Sequence, residues 1–182
     1  EDEIRKIDTL DKHREVLKQS IVYAQKKVII VSPYIRKSAI IADDLISLIK
    51  NHSLNKEIII YYDIDGNLND KAYMEFIIVS RKLHKSGASL KPIENLHSKL
   101  IIIDNLRLVE GSFNWLSSHR VKDKYIRYET SIIYRGERVA QISNDLECTL
   151  NKHHQKSLSS SLLNYEIKSF INKKNEIHEN QM

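Results

Sequence analysis

The sequence predicts an α/β fold built on a mixed central sheet. Short apolar runs of strand length alternate with longer segments that carry apolar residues at helical spacing, and two adjoining apolar runs in the second half read as a hairpin. At 182 residues the chain is long enough for one domain with a sizeable core.

Asp8 to Lys27 reads as a helix, with Leu10, Leu17, Ile21 and Ala24 on one side. Val28-Ile29-Ile30-Val31 is apolar throughout and stops at Ser32-Pro33, the pattern of a buried strand. Ser38 to Asn51 places Ile41, Leu45, Leu48 and Ile49 at helical spacing. Glu57 to Asp63 is the next strand, Asp70 to Lys85 a helix closed by Gly87, and Ala88 to Ile93 a short third strand. Leu100 to Ile103 and Leu106 to Glu110 form the hairpin, joined by a tight Asp104-Asn105 turn. Tyr128 to Tyr134 adds a strand and Glu137 to His154 an amphipathic helix. From Ser157 the composition shifts towards serine, then lysine and asparagine. Residues 1–155 are therefore expected to form the domain. Residues 156–182 are expected to form a helical extension with an apolar stripe (Leu158, Leu162, Ile167, Phe170, Ile171), ending in a disordered tail.

The net charge of +5 comes from 29 basic and 24 acidic residues, a balance that favours a polyanionic partner. Cys148 is the one cysteine, so no intrachain disulfide forms, which fits a reducing, cytoplasmic setting. No apolar stretch approaches the roughly 20 residues that span a bilayer, and no signal peptide is visible, so no membrane partner is expected. The chain opens Glu1-Asp2-Glu3 without an initiator methionine, as a domain of a longer protein would.

The chemistry concentrates between His97 and Asn114. His97-Ser98-Lys99 precedes the Leu100–Ile103 run, Asp104 follows it, and Gly111-Ser112-Phe113-Asn114 comes shortly after. Strand parity points His97 and Lys99 the same way. An ammonium beside an imidazole makes a phosphate site: the first cancels charge on a non-bridging oxygen, the second attacks phosphorus when neutral. Asp104 has the opposite parity, so its role is a supporting one at the strand end. Gly111 lets the backbone approach a ligand closely, and Ser112 and Asn114 share a parity and donate hydrogen bonds to phosphate oxygens.

This H-x-K-x4-D…G-S-x-N pattern resembles the signature of the phospholipase D superfamily. The resemblance implies a mixed β-sheet flanked by helices on both faces, over roughly residues 1–155. It also implies phosphodiester cleavage through a phosphohistidine at His97, with Lys99, Ser112 and Asn114 stabilising charge, so that no metal or other cofactor is needed. Enzymes of the superfamily bring two such motifs to one site, and this chain has one. His52, His84, His119, His153 and His154 lack the residues that would complete a second. A homodimer with a shared site is therefore expected, as in the small bacterial endonucleases of the superfamily. Glu129, on the strand after the motif, is the candidate acceptor that orients the histidine, by analogy with an acidic residue in family members.

Trp115 opens a basic loop containing Arg120, Lys122 and Lys124. Cations interleaved with an aromatic suit a nucleic-acid strand, with DNA favoured over RNA. Trp115 reads equally as a stacking platform or as core, and Arg36 is placed on the same rim. Two other readings compete for the function: a phospholipid hydrolase or transferase, and a nucleic-acid-binding module whose site is catalytically silent. Two further patterns are weighed and set aside. Asp63-Ile64-Asp65-Gly66-Asn67 resembles the D-x-D-G start of haloacid dehalogenase phosphatases, but a strand-ending turn explains it better. Cys148 with His153-His154 lacks two further zinc ligands and reads as a polar helix face.

Overall fold

The computed structural model describes residues 3–121, 123 and 127–159. Its strands are β1 (Glu3–Ile7), β2 (Lys27–Val31), β3 (Glu57–Asp63), β4 (Ala88–Ile93), β5 (Leu100–Ile103), β6 (Arg107–Gly111) and β7 (Ser131–Arg135). The helices are α1 (Leu10–Tyr23), α2 (Lys37–Ala42), α3 (Leu45–His52), α4 (Ile64–Leu68), α5 (Tyr73–Lys85) and α6 (Glu137–Ser159). The strands form one sheet in the order β1-β7-β6-β5-β2-β3-β4. β2, β3 and β4 are parallel, whereas β5 is antiparallel to β2 and each of β6, β7 and β1 is antiparallel to its neighbour. This is the predicted α/β class with a mixed sheet.

Both faces of the central strands are covered, which is why they are apolar without alternation. Val28, Ile30, Ile58, Ile60, Ile101 and Val109 enter a core closed by α1 to α5. Ile29, Val31, Ile59, Tyr61, Ile102 and Leu108 enter a second core closed by α6 through Val139 and Leu150. Polar contacts fix α6 to that face. Lys27 Nζ meets Glu147 Oε2 at 2.6 Å, and the Tyr61 hydroxyl donates to Asn151 Oδ1 at 2.6 Å. His154 is buried with Nδ1 2.8 Å from the Pro92 carbonyl, so it belongs to the core and not to a polar face shared with the exposed Cys148.

Several boundaries differ from expectation for identifiable reasons. β1 is an edge strand with four of five residues exposed, so it carries no apolar alternation to read. The helix expected from Ser38 to Asn51 is two helices, broken where Asp44 takes a φ of 50°. The apolar spacing runs across the break because α2 and α3 pack on the same core. β7 begins at Ser131, which leaves Glu129 ahead of the strand instead of on it. α6 continues through residue 155 to Ser159, so the compositional boundary falls inside a helix. Leu162, Ile167, Phe170 and Ile171 lie outside the described residues. No described helix is long and apolar enough to cross a membrane.

The register brings one edge of the sheet into focus. Val31 pairs with Leu100, Leu100 with Glu110, Gly111 with Ser131, and Asp63 with Ile93. The start of β5 therefore sits between the ends of β2 and β6, on the same side of the sheet as the end of β3 and the start of β7.

Candidate active site

His97 and Lys99 lie on the three residues that lead into β5, and they meet as their shared parity predicts. Lys99 Nζ lies 3.4 Å from His97 Nε2 and donates to the His97 carbonyl at 2.9 Å. An ammonium only donates, so this approach suits a ring whose Nε2 carries the lone pair. His97 is exposed and Lys99 half-buried. Burial lowers the Lys99 pKa below its ordinary value of 10.5, and the Glu129 carboxylate opposes that shift. Glu129 is itself 7% exposed, so a buried anion backs the ammonium.

Gly111, at the end of β6, donates its N–H to the Lys99 carbonyl at 3.3 Å. A Cβ at Gly111 would stand 2.1 Å from the Thr130 carbonyl oxygen and 2.4 Å from Ser131 Oγ. The close approach of the β7 segment thus requires a glycine here, while the residue itself stays exposed on the rim of the site. Ser112 follows on the exposed rim; its N–H donates to the Thr130 carbonyl at 2.9 Å, and its hydroxyl accepts from the Thr130 N–H at 3.1 Å. Asn114 closes a turn by accepting from the Ser117 and Ser118 N–H groups, and its side-chain Oδ1 is buried with no partner among the described residues.

Asp104 does not join this cluster. It stands beyond the far end of β5, about 16 Å of extended chain from Lys99. Its carboxylate accepts three backbone N–H groups, from Gln25 and Lys26 at 2.7 Å and from Lys27 at 2.8 Å. It thereby ties the α1–β2 connection to the hairpin turn, where Asp104 and Asn105 take φ values of 52° and 56°. Its inclusion among the catalytic residues is corrected to scaffolding, the form its supporting role takes. Burial alone would raise its pKa; the three N–H donors and Lys56 outweigh that and hold it below the carboxylate value of 3.8. A depressed carboxylate stabilises the fold above the unfolded pKa, and this is lost as pH falls through the folded one. Asp104→Asn keeps a residue that tolerates positive φ but offers one acceptor oxygen. Urea unfolding is expected to show a loss of about 1–3 kcal/mol at neutral pH, shrinking below about pH 4.

Two residues assigned to substrate turn inward. Trp115 is 0% exposed, edge-on to Phe113 with centroids 5.2 Å apart, so it is core and offers no stacking face. Arg120 is 9% exposed; its Nε donates to Asp43 Oδ2 at 2.7 Å, and its other nitrogens donate to the Ser118 and Trp115 carbonyls. It secures the turn after Asn114 instead of meeting a strand of nucleic acid. Arg36 lies near the rim, but its guanidinium is held by Asp70 at 2.8 Å and rests over the Tyr34 ring. Lys122 and Lys124 lie outside the described residues.

Three more residues support the site: His13 and Ser32 drew no functional reading from the sequence, and Asp63 drew only the phosphatase pattern that was set aside. His13 is fully buried, stacked on Phe113 at 4.3 Å, with Nδ1 donating to the Thr9 carbonyl at 2.7 Å and Nε2 3.1 Å from Ser131 Oγ. Burial pushes its pKa down, and the Thr9 carbonyl and Glu129 push it up by less. Ser32 Oγ accepts from the Leu116 N–H at 3.1 Å, while Arg36 donates its N–H to the Leu116 carbonyl, so the β2 end is stitched to the turn after Asn114. Asp63 holds the turn before His97. A helical position for His13 and a strand-ending serine carry no periodic or motif signal that would single them out. Among the described residues, no three His, Cys, Asp or Glu side chains cluster as metal ligands.

No protein-family model matches the chain, and no curated protein is similar to it in sequence. Solved structures are. Nuc from Salmonella typhimurium, a phospholipase D family member, aligns with a TM-score of 0.62 at 16% identity over 84% of this chain and 94% of its own. NucT from Helicobacter pylori gives 0.64 at 18% identity over 84% and 98%. A phosphatidylserine synthase from Haemophilus influenzae gives 0.58 at 13% identity, over 96% of this chain but 46% of the synthase. The chain therefore has a phospholipase D-type fold, with helices on both faces of the sheet as the resemblance implies.

Proposed function

We propose that this chain is a phosphodiesterase that cleaves nucleic acid, DNA before RNA, through a phosphohistidine at His97. The observation that carries the reading is the 3.4 Å approach of Lys99 Nζ to His97 Nε2 on an exposed strand end. In the proposed reaction His97 attacks phosphorus in line, forming a P–N bond as the bond to the leaving oxygen breaks. His97 of the partner subunit gives that oxygen its proton. The same histidine then takes a proton from water, whose oxygen attacks phosphorus and breaks the P–N bond. Lys99 from both subunits, with Ser112 and Asn114, stabilises the equatorial oxygens, so the reaction runs without a metal. Glu129 steadies the histidine and lysine. The homodimer follows from the single motif in each chain. Lys122 and Lys124 are proposed to guide the strand towards the site, in a cytoplasmic protein whose nuclease domain comprises residues 1–155.

The test is incubation with plasmid, single-stranded DNA, RNA and phospholipid vesicles, each with and without EDTA. Plasmid cleavage undiminished by EDTA is expected. Activity lost to EDTA and restored by magnesium would overturn the phosphohistidine. Hydrolysis of vesicles alone would favour the lipid reading, and DNA binding without cleavage the silent module.

A further inference from the structure

The Asp63-Ile64-Asp65-Gly66-Asn67 segment is a sequence pattern that the proposed chemistry leaves unused, and it sits at the same sheet edge. Asp63 ends β3 and caps α4, its Oδ2 accepting the Gly66 N–H at 2.8 Å. Its other oxygen, Oδ1, accepts the Leu96 N–H at 3.3 Å, one residue before His97. Leu96 follows Asn95, which takes a φ of 56°, so the chain between β4 and β5 turns sharply just ahead of His97. Leu96 is buried in the α6-side core, which leaves its N–H in need of a partner within the protein.

Gly66 allows this arrangement, because a Cβ there would lie 2.4 Å from Asp63 Oδ2 and 2.9 Å from the Tyr34 ring. Asn67 completes it. Fully buried, Asn67 donates to the Pro33 and Asp63 carbonyls at 2.8 and 2.6 Å, and accepts from the Ile35 N–H at 3.0 Å. The loop so held also provides Ser32, whose hydroxyl accepts from the Leu116 N–H. One short segment thus reaches both the turn before His97 and, through the β2 loop, the turn after Asn114.

We infer that Asp63 is a positioning residue for His97: its carboxylate divides between the α4 cap and the Leu96 N–H and fixes where the imidazole stands. The effect on catalysis rests on the phosphohistidine reading; the effect on His97 geometry does not. Asp63→Asn separates the two duties. Asparagine caps a helix as well as aspartate does, so Gly66 keeps its acceptor. It has one oxygen, so Leu96 then faces an amide N–H or nothing. A small misplacement of a reacting group can cost on the order of 100-fold.

The experiment compares wild type, Asp63→Asn and Asp63→Ser, which also caps but is too short to reach both groups. Hydrogen exchange of the Leu96 amide and the imidazole resonances of His97 are read by NMR, and kcat and KM are read on bis(p-nitrophenyl) phosphate. In both variants we expect an intact fold, at least tenfold faster Leu96 exchange, shifted His97 resonances, and kcat lowered about 10- to 100-fold with KM little changed. Unaltered Leu96 exchange and His97 resonances in a folded variant would overturn the inference, as would unchanged kcat in an active enzyme. A wild type without activity would sink the phosphodiesterase reading and leave the NMR comparison to decide the role of Asp63.

Discussion

Replacing His97 with alanine is expected to abolish turnover while leaving thermal stability and DNA binding close to those of the parent. The side chain is exposed, so its removal opens no cavity. A deleted nucleophile costs on the order of 10⁴-fold or more in kcat. Lys99→Ala is expected to cost roughly 10²- to 10³-fold, since the ammonium stabilises charge but forms no bond to phosphorus. Turnover needs Lys99 protonated, and burial holds its pKa below 10.5. The alkaline limb of the pH profile should therefore fall earlier than for a solvated lysine. Glu129→Gln, by removing the anion that opposes the shift, should move that limb lower still. Mixing wild type with His97→Ala carries the reading into the dimer. If one histidine attacks and the other protonates, heterodimers lack full turnover, and activity follows the square of the wild-type fraction under random exchange. A linear decline, or wild-type rates from His97→Ala alone, would refute the shared site.

What could be read from the sequence was what repeats or what is local. β3 and β5 match their expected bounds because each holds a continuous apolar run between polar residues, and β4 does so because Gly87 marks where it starts. His97 and Lys99 meet because two residues of extended chain decide it. Partners distant in sequence were not legible. Trp115, Arg120 and Gly111 are residue types common to substrate sites and cores, and only packing assigns them. Phe113 and His13 take up the indole, Asp43 the guanidinium, and Thr130 leaves no room for a side chain at Gly111. Asp63 was in view as the start of a turn. Its second acceptor bond, to a residue 33 positions on, has no local signature.

Asp43 shows how much of the site depends on such a distant contact, and its removal is expected to have the largest effect on stability. Its side chain is fully buried and accepts from two arginines, Arg14 Nε at 2.6 Å and Arg120 Nε at 2.7 Å. The Arg14 side chain is 25% exposed and can turn to water; that of Arg120 is 3% exposed and cannot. Asp43→Ala therefore takes the Asp43 carboxylate away from a buried guanidinium, and breaking a buried ion pair on one side typically costs about 3–5 kcal/mol. In a chain of this size that corresponds to a fall in Tm of roughly 6–20 °C. Arg120 also donates to the Trp115 and Ser118 carbonyls, so the turn after Asn114 should loosen and DNA cleavage should fall along with stability. The double variant Asp43→Ala/Arg120→Met removes both charges, and its destabilisation should be less than the sum of the two single losses by at least about 1 kcal/mol. Urea unfolding of the four proteins measures this coupling. Additive losses, or a single-variant loss below about 1 kcal/mol, would show that the arginine finds water or another acceptor and that Asp43 does not anchor the turn.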